Sequence, residues 1–367
     1  MSKLFLCGDV MTGRGIDQVL PHAGKPDLFE SYIRSAVGYV QLAERASGSI
    51  GRGLDFAYPW GEALAVLAER RPDARIINLE TAVTASDDAQ PGKGIHYRMH
   101  PDNLPCITSA RIDCCALANN HVLDWGRAGL AETLMLLYAA GLRTAGAGRD
   151  AQEAEAPAVV ELPAAGARVL VFAYATPTSG TPADWAATRQ RGGVNFLGEL
   201  SGRSAERAAE TMLQHRRAGD IVVASVHWGD NWGFDIPREE RTFAHGLIDA
   251  GGADVVYGHS SHHVKGIEVH RGKLVLYGCG DFLNDYEGIS GHEEYRPDLS
   301  LMYFPALDAA TGELRALDAV PMRIRRFRLE RAAADDVSWL RGTLEREGRA
   351  LGTRVTADAQ GALSLAW

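Results

Sequence analysis

Short apolar segments recur along this chain and predict a core built from β-strands. Runs of about four to eight apolar residues bounded by turn-forming residues are typical of buried strands. Between several of them, apolar residues recur at helical spacing over residues 127–140, 204–217 and 239–250. Strands alternating with helices indicate an α/β protein in which helices cover the sheets. The predicted strands are residues 4–7, 75–79, 114–118, 221–226, 254–257 and 274–277.

The first five predicted strands lead directly into polar residues that can bind a metal or move a proton. Side chains and loops converge at the carboxyl ends of strands in α/β proteins, so residues in these positions meet in one place. The sixth strand precedes Gly280-Asp281. We therefore expect one composite polar site. Its predicted catalytic residues are Asp9, Glu80, Asn120, His121, His227, His259 and His262.

Four irregular stretches interrupt the alternation of strands and helices. Long loops that follow strand ends often form lids or substrate walls, so we expect all four near the rim of the site. The first includes a helix-like pattern over residues 29–46 and is predicted to be an insertion that forms a lid or rim. The four stretches are residues 21–62, 85–105, 176–198 and 284–298.

The site residues are spread over most of the chain, which favours one large domain over residues 1–305. The remaining residues, 306–367, are predicted to form a β-rich closure and one helix over residues 334–349, as part of the same domain.

Composition narrows the classes of partner. The chain has 367 residues, of which 46% are hydrophobic and 23% charged, and its formal net charge of -9 argues against a nucleic-acid partner. No apolar stretch approaches the roughly 20 residues needed to cross a bilayer. The apolar run near the start is too short for a signal peptide. We expect a cytoplasmic protein with no membrane partner and with its five cysteines free and buried.

Five motifs occur in a characteristic order within residues 1–285. Their joint order resembles the CapA family, also called the poly-γ-glutamate or capsule synthesis protein family, of the calcineurin-like metallophosphatase superfamily. The resemblance implies a four-layer α/β/β/α sandwich. The motifs are Cys7-Gly8-Asp9-Val10-Met11, Asn78-Leu79-Glu80-Thr81, Leu117-Ala118-Asn119-Asn120-His121 with Asp124-Trp125-Gly126, Ser225-Val226-His227-Trp228-Gly229, and Gly258-His259-Ser260-Ser261-His262-His263-Val264.

The same resemblance implies roles for the site residues. Glu80 would bridge two metals, and Asp9 and His262 would contribute to the first of them. The second would be completed by Asn120, His227 and His259. His121 would be the acid that faces the leaving group. Two such cations can activate water and clamp a phosphate oxygen, and mixed nitrogen and oxygen ligands suit Mn, Fe or Zn.

The chain departs from the metallophosphatase pattern at its first motif. Asp-x-His is expected there, but the third residue is Met11, whose thioether is a poor ligand for these ions. Two residues rather than one separate His259 from His262. The first metal set, Asp9 and His262 with Glu80, is therefore incomplete.

Our leading hypothesis follows from that departure. Crowded, buried titratable groups acquire different pKa values and can act as acid and base without a metal. We expect metal-independent epimerisation at Cα of a residue in a peptide, such as a ribosomal precursor peptide of the lasso type, with no cofactor required. One alternative is a phosphoesterase that depends on Mn, Fe or Zn. Another is a protein of poly-γ-glutamate biosynthesis or binding.

Four charged or imidazole side chains in the loops are candidates for binding a substrate carboxylate or phosphate. They are Arg14, Lys93, His96 and Arg98, with solvated loop charge as the alternative. Trp228, Trp232 and Trp185 are candidates for an aromatic substrate wall, with core or rim packing as the alternative for Trp228. Five other histidines are expected to face solvent: His215, His245, His263, His270 and His292.

Overall fold

The computed structural model describes residues 1–163 and 166–367. The helices, α1 to α9 in chain order, are Arg14–Asp17, Val37–Ser47, Ala63–Arg70, Pro105–Ser109, Gly126–Ala139, Ala151–Glu155, Gly202–His215, Arg238–Asp249 and Ala334–Gly348. The strands, β1 to β21 in chain order, are Ser2–Cys7, Asp9–Val10, Ala74–Leu79, Ala82–Val83, Arg98–Met99, Cys114–Ala116, Arg143–Ala145, Ala147–Gly148, Ala158–Leu162, Ala167–Ala175, Gly193–Val194, Ile221–His227, Val255–His259, Ile267–His270, Lys273–Leu276, Asp281–Leu283, Leu299–Leu307, Leu314–Arg325, Arg328–Arg331, Arg354–Ala357 and Leu363–Ala366.

Two large mixed sheets form the core. In the larger sheet the strand order is β16-β2-β3-β1-β17-β18-β21-β20, with β6 and β7 continuing from β3, and β19 beside β18. The smaller sheet has the order β14-β15-β13-β12-β10-β9. Parallel pairing of β12 with β13 aligns His227 with His259, and parallel pairing of β2 with β3 aligns Asp9 with Asn78. Each sheet therefore presents strand ends with site residues in register.

Strand β10 shows how the layers are stacked. Its side chains alternate between two apolar clusters, because successive residues of a strand point to opposite faces of the sheet. Val169, Val171 and Ala173 belong to the cluster shared with the larger sheet. Leu170, Phe172 and Tyr174 belong to a second cluster, which contains residues of α7 and α8. The smaller sheet thus lies between the larger sheet and these helices.

Helices also pack with the larger sheet. Apolar residues of α3, α4 and α5 belong to the same core cluster as its strands. The two sheets are joined directly where the Tyr257 hydroxyl of β13 donates a hydrogen bond to the Cys7 carbonyl of β1. The four-layer α/β/β/α sandwich predicted from the sequence is confirmed.

The six predicted strands are all present, but the longest strand of the smaller sheet, β10, was not predicted. The helix-like pattern over residues 29–46 was wrong in its first part, since α2 begins only at Val37. A loop precedes it, closed by hydrogen bonds from Leu28 N to Arg34 O and from Ala36 N to Pro26 O. This loop turns Glu30 inward onto Arg14, a contact that a continuous helix would not provide.

The final part of the chain shares the larger sheet. Strand β17 pairs with β1, and β18, β20 and β21 extend the sheet beyond it. The predicted division at residue 305 falls inside β17. All five cysteines are free and buried, as predicted. Within the described residues, none of the helices has the length and apolar character needed to cross a membrane.

Candidate active site

The ends of β2, β3 and β12 bring three acidic or imidazole groups into contact. One ligand atom from each of Asp9, Glu80 and His227 lies within 4.8 Å of the others, and all three residues are buried. His227 Nε2 is 3.4 Å from Glu80 Oε1 and 3.2 Å from Asn120 Oδ1. His259 Nδ1 is 3.1 Å from Asp9 Oδ1. The structure therefore brings these five predicted residues into one cluster.

Asp9 is held from several sides. Asn78 Nδ2 donates to its Oδ1 at 2.8 Å, and the backbone N–H of Ser260 donates to its Oδ2 at 3.1 Å. Ser260 adopts a φ of 90°, a conformation uncommon for a residue other than glycine. Burial alone would raise the pKa of Asp9, but hydrogen bonding and charge from His259 lower it below its usual range. Asp9 is thus an ionised carboxylate with a fixed orientation.

The pKa of Glu80 is shifted in the opposite direction to that of Asp9. Burial, followed by the neighbouring charge of Asp9, raises the pKa of Glu80 well above its usual range. Its Oε2 is buried and has no hydrogen-bond partner among the described residues, and neither has Nδ1 of His227. Burial lowers the pKa of His227 to about 4, so this imidazole is neutral at pH 7.

Buried polar atoms are normally paired, so the two unpaired atoms call for a partner. The cluster supplies two carboxylates, neutral imidazoles and an amide oxygen, which are the ligands expected around Mn, Fe or Zn. The donor set fits a divalent metal. Glu80, Asn120, His227 and His259 were the predicted ligands, and Asp9 adjoins them through His259.

His121 lies at the edge of the cluster and contacts Asp124 and Lys93. Asp124 was not among the predicted site residues. Lys93 was predicted to bind substrate, and its contact with His121 was not predicted. His121 Nδ1 lies 2.6 Å from Asp124 Oδ2, and His121 Nε2 lies 3.9 Å from Glu80 Oε1. Lys93 contacts Asp124, the Asn120 carbonyl and His121. Burial lowers the pKa of His121 to about 4. The sequence signal for Asp124 was its place in the Asp124-Trp125-Gly126 part of the third motif, three residues after His121.

His262 is paired with a carboxylate that was also missed. Its Nδ1 lies 2.9 Å from Asp281 Oδ1, and Asn284 donates to Asp281 Oδ2 at 2.8 Å. Burial would lower the pKa of His262, but the Asp281 carboxylate raises it to about 9. Asp281 follows the sixth predicted strand, so the rule that identified the other site residues could have found it.

A cavity of about 550 Å³ opens beside His262. It is lined by residues from three of the four irregular stretches, including Tyr32, Ile95 and His292. Trp185 lies in the remaining stretch, residues 176–198, and its ring centroid is 5.0 Å from Lys93 Nζ. His262 is the predicted catalytic residue that lines this cavity.

Two predicted substrate-binding residues have structural roles instead. Trp228 is buried against Phe243 and Tyr277, and its indole N–H donates to the Tyr277 carbonyl at 2.9 Å, so the prediction of an aromatic wall there was wrong. Trp232 lines the cavity in its place. Arg14 reaches the cavity, but its guanidinium already makes four hydrogen bonds, to Glu30, Tyr39 and Asp285.

His96 and Arg98 lie away from the cavity lining. His96 is buried beside Trp125, and Arg98 stacks on the Trp125 ring at 3.7 Å while bonding Asp87. Both side chains are buried, so the alternative of solvated loop charge is wrong, and their prediction as substrate contacts stays untested. Lys93, from the same predicted group, contacts His121 and the Asn120 carbonyl.

Met11, His263 and His292 lie around the cluster and the cavity. Met11 is buried, and its sulfur lies 4.0 Å from the Tyr286 hydroxyl. His263 was expected to face solvent, which was wrong: it is buried against Phe234 and Tyr295. His292 stacks on Trp232 with ring centroids 3.8 Å apart.

Comparison with known proteins places this site in a family. The family described as bacterial capsule synthesis protein PGA_cap matches residues 3–286. The chain belongs to this capsule synthesis family. The predicted resemblance to CapA is thereby confirmed.

Among the relatives is the probable polyglutamine synthesis accessory protein of Mycobacterium tuberculosis, 49% identical over 353 residues, covering 96% of this chain and 92% of that protein. The capsule biosynthesis protein CapA of Bacillus anthracis is 24% identical over 321 residues, covering 87% of this chain and 67% of that protein. The PGA biosynthesis protein CapA of Bacillus subtilis is 25% identical over 279 residues, or 76% and 62% of the two chains.

A solved structure described as a novel phosphatase of Mycoplasma pneumoniae aligns with 92% of this chain and 96% of that one. Its TM-score is 0.45 and its sequence identity 10%, and we draw no functional conclusion from it. None of the proteins described above is named as an epimerase.

Proposed function

We propose that this protein is an accessory enzyme of glutamate-polymer synthesis and that it hydrolyses a phosphoester at a metal-supported site. The observation that carries the proposal is the buried convergence of Asp9, Glu80 and His227, with Glu80 Oε2 and His227 Nδ1 left without a partner among the described residues. The polymer-synthesis context is supported by the names of the relatives in M. tuberculosis and the two Bacillus species.

The residues that would hold the metal are Asp9, Glu80, Asn120, His227 and His259. A bound divalent cation would supply an acidified water and a positive charge that polarises a phosphoryl oxygen. The prediction that no cofactor is required stays untested, and the donor set favours the alternative of Mn, Fe or Zn.

In this proposal, His121 transfers the proton. With Asp124 accepting from Nδ1–H, neutral His121 presents its unprotonated Nε2 toward Glu80 at 3.9 Å. An imidazole in this state can take a proton from an attacking water and then return it to the leaving oxygen. The acid role implied by the family resemblance would then be the second half of its cycle.

Peptide epimerisation remains a prediction, and one that gains little support from the geometry. Removing a proton from one face of Cα and returning it to the other requires two groups on opposite sides of the substrate. His227 and His259 instead lie side by side, with ring planes 25° apart and centroids 6.3 Å apart.

The test uses the full chain purified without added metal. We expect near-stoichiometric Mn, Fe or Zn by elemental analysis, and metal-dependent hydrolysis of p-nitrophenyl phosphate or its bis-ester. Glu80→Gln should lose both properties, while His215→Gln, an exposed substitution, should keep them. Hydrolysis of γ-linked glutamate oligomers and deuterium uptake at Cα from D₂O are measured in parallel.

Metal-free protein that hydrolyses no phosphoester would overturn the proposal. Deuterium uptake into a peptide without hydrolysis would return epimerisation to first place. Cleavage of glutamate oligomers alone would keep the polymer context but replace the phosphoester with an amide.

A further inference from the structure

A second cluster of metal-binding side chains lies where α8 meets the edge strand β14. It consists of His245, Glu268 and His270, whose ligand atoms all lie within 4.8 Å of one another. We propose that these three residues bind a Zn²⁺ ion at a site separate from the active site. Among the described residues, the cluster shares no hydrogen bond or ion pair with Asp9 or Glu80.

The fold explains why these residues meet. Glu268 and His270 are two positions apart in β14, so their side chains project from the same face of the strand. His245 lies on α8, and its Nε2 is 3.0 Å from Glu268 Oε2. Tetrahedral zinc with bonds of about 2.0–2.2 Å separates neighbouring ligand atoms by roughly 3.3 Å. This pair is therefore already at close to the required spacing.

The imidazoles are also close together. The rings of His245 and His270 are stacked, with centroids 3.9 Å apart and planes 6° from parallel. Both rings have to tilt to point their lone pairs at one ion. They have room to do so, because both residues are only partly buried. Two imidazoles and one carboxylate form a known zinc set that leaves a fourth position for water.

Outer hydrogen bonds orient the ligands, as is usual around bound metals. The Tyr277 hydroxyl donates to Glu268 Oε2 at 2.6 Å, which fixes the carboxylate. Asp249 Oδ1 lies 2.8 Å from His270 Nε2 and can accept its N–H, leaving the other ring nitrogen for the metal. These contacts hold Glu268 and His270 in fixed orientations.

Two arginines close to the cluster disfavour the binding of a cation. Arg241 Nη2 is 3.6 Å from Glu268 Oε1, and Arg271 Nε is 3.0 Å from Asp249 Oδ1. Both guanidinium groups are substantially exposed, so each ion pair is weak. Removing the charge of Arg241 should therefore tighten zinc binding by about two- to fivefold.

The experiment separates this site from the active site by working in Glu80→Gln protein. Zinc chloride is titrated into that protein and into the same protein carrying His245→Gln and His270→Gln, with a chromophoric chelator as competitor. We expect one bound zinc in the parent and a loss of affinity of more than about tenfold in the double substitution. Arg241→Gln should bind more tightly than the parent.

Two further readouts protect the test against misfolding. Zinc binding to the native state should raise the unfolding temperature of the parent, and this shift should vanish with the two glutamines although the metal-free unfolding temperatures agree. Co²⁺ should give the visible absorption of a tetrahedral site only in the parent. Equal zinc affinity and an equal thermal shift in both proteins would overturn the proposal.

Discussion

The guanidinium of Arg14 donates hydrogen bonds to both carboxylate oxygens of Asp285, with Nε 3.1 Å from Oδ2. Asp285 lies 271 positions further along the chain. The same guanidinium bonds Glu30 and lies over the rings of Tyr39 and Tyr97. It therefore ties the 21–62 insertion to the loop that follows β16. One buried cation holds two walls of the cavity in place.

Replacing Arg14 should loosen that junction. Arg14→Met leaves Glu30 and Asp285 buried without their counter-charge, so the free energy of unfolding should fall by about 3–5 kcal/mol. Cleavage within residues 21–62 by a protease should become faster. Urea unfolding and limited proteolysis measure both effects. Arg34→Met, at an exposed position of the same insertion, is the control and should change neither.

Glu240 should make stability depend on pH. Burial raises the pKa of Glu240 to about 7, and its Oε2 has no partner among the described residues. The unfolded pKa is about 4.3, so the favourable contribution of the protonated form is complete below that pH and is lost as the pH rises to 7. Glu240→Gln should stabilise the fold by about 3 kcal/mol at pH 8 and little at pH 4.5.

Urea unfolding at both pH values checks this prediction. Glu210→Gln changes an exposed carboxyl on α7 and should leave the pH profile as it is. A Glu240→Gln protein with the same pH profile as the parent would show that the buried carboxyl does not titrate in this range.

The hydrogen bond that joins the two sheets should make a measurable contribution to stability. Tyr257→Phe removes a buried hydroxyl that donates to the Cys7 carbonyl and accepts from the Cys7 backbone N–H at 3.4 Å. The free energy of unfolding should fall by about 1–3 kcal/mol. Tyr138→Phe, at a side chain 79% exposed, should have no effect. Chemical denaturation compares the two, and equal stability would mean that the carbonyl finds another donor.

Asp124 should matter for turnover rather than for metal content. Asp124→Asn removes the carboxylate that orients His121, so kcat for phosphoester hydrolysis should fall by roughly 10²–10⁴. Bound metal, measured by elemental analysis, should stay the same. Asp102→Asn, an exposed substitution, is the control. An unchanged kcat would remove His121 from the proposed proton transfer.

The sequence was sufficient to predict the sandwich and the central cluster because both follow from one rule. Buried strands leave continuous apolar runs, and the polar residue after each run lies at a shared edge. Strand β10 obeys the first half of this rule, as residues 169–175 are largely apolar. It was overlooked because no acidic residue or histidine follows it directly.

Loop residues could not be placed in the same way. Trp228 and Trp232 lie four positions apart in one loop, and no periodicity distinguishes the buried ring from the one in the cavity. The partners of Arg14 are similarly hidden, because Glu30 and Asp285 approach it only through tertiary folding. Pairings between distant loops need coordinates.

Strand β1 lies between β3 and β17, with Ser2 opposite Leu307 and Cys7 opposite Met302. During synthesis, one edge of this first strand has to wait until the ribosome has released residues beyond 307. Pairing over such a separation is slow, and an open apolar edge invites association between nascent chains. The order of strands therefore leaves one edge of β1 without its native partner until β17, Leu299–Leu307, has been made.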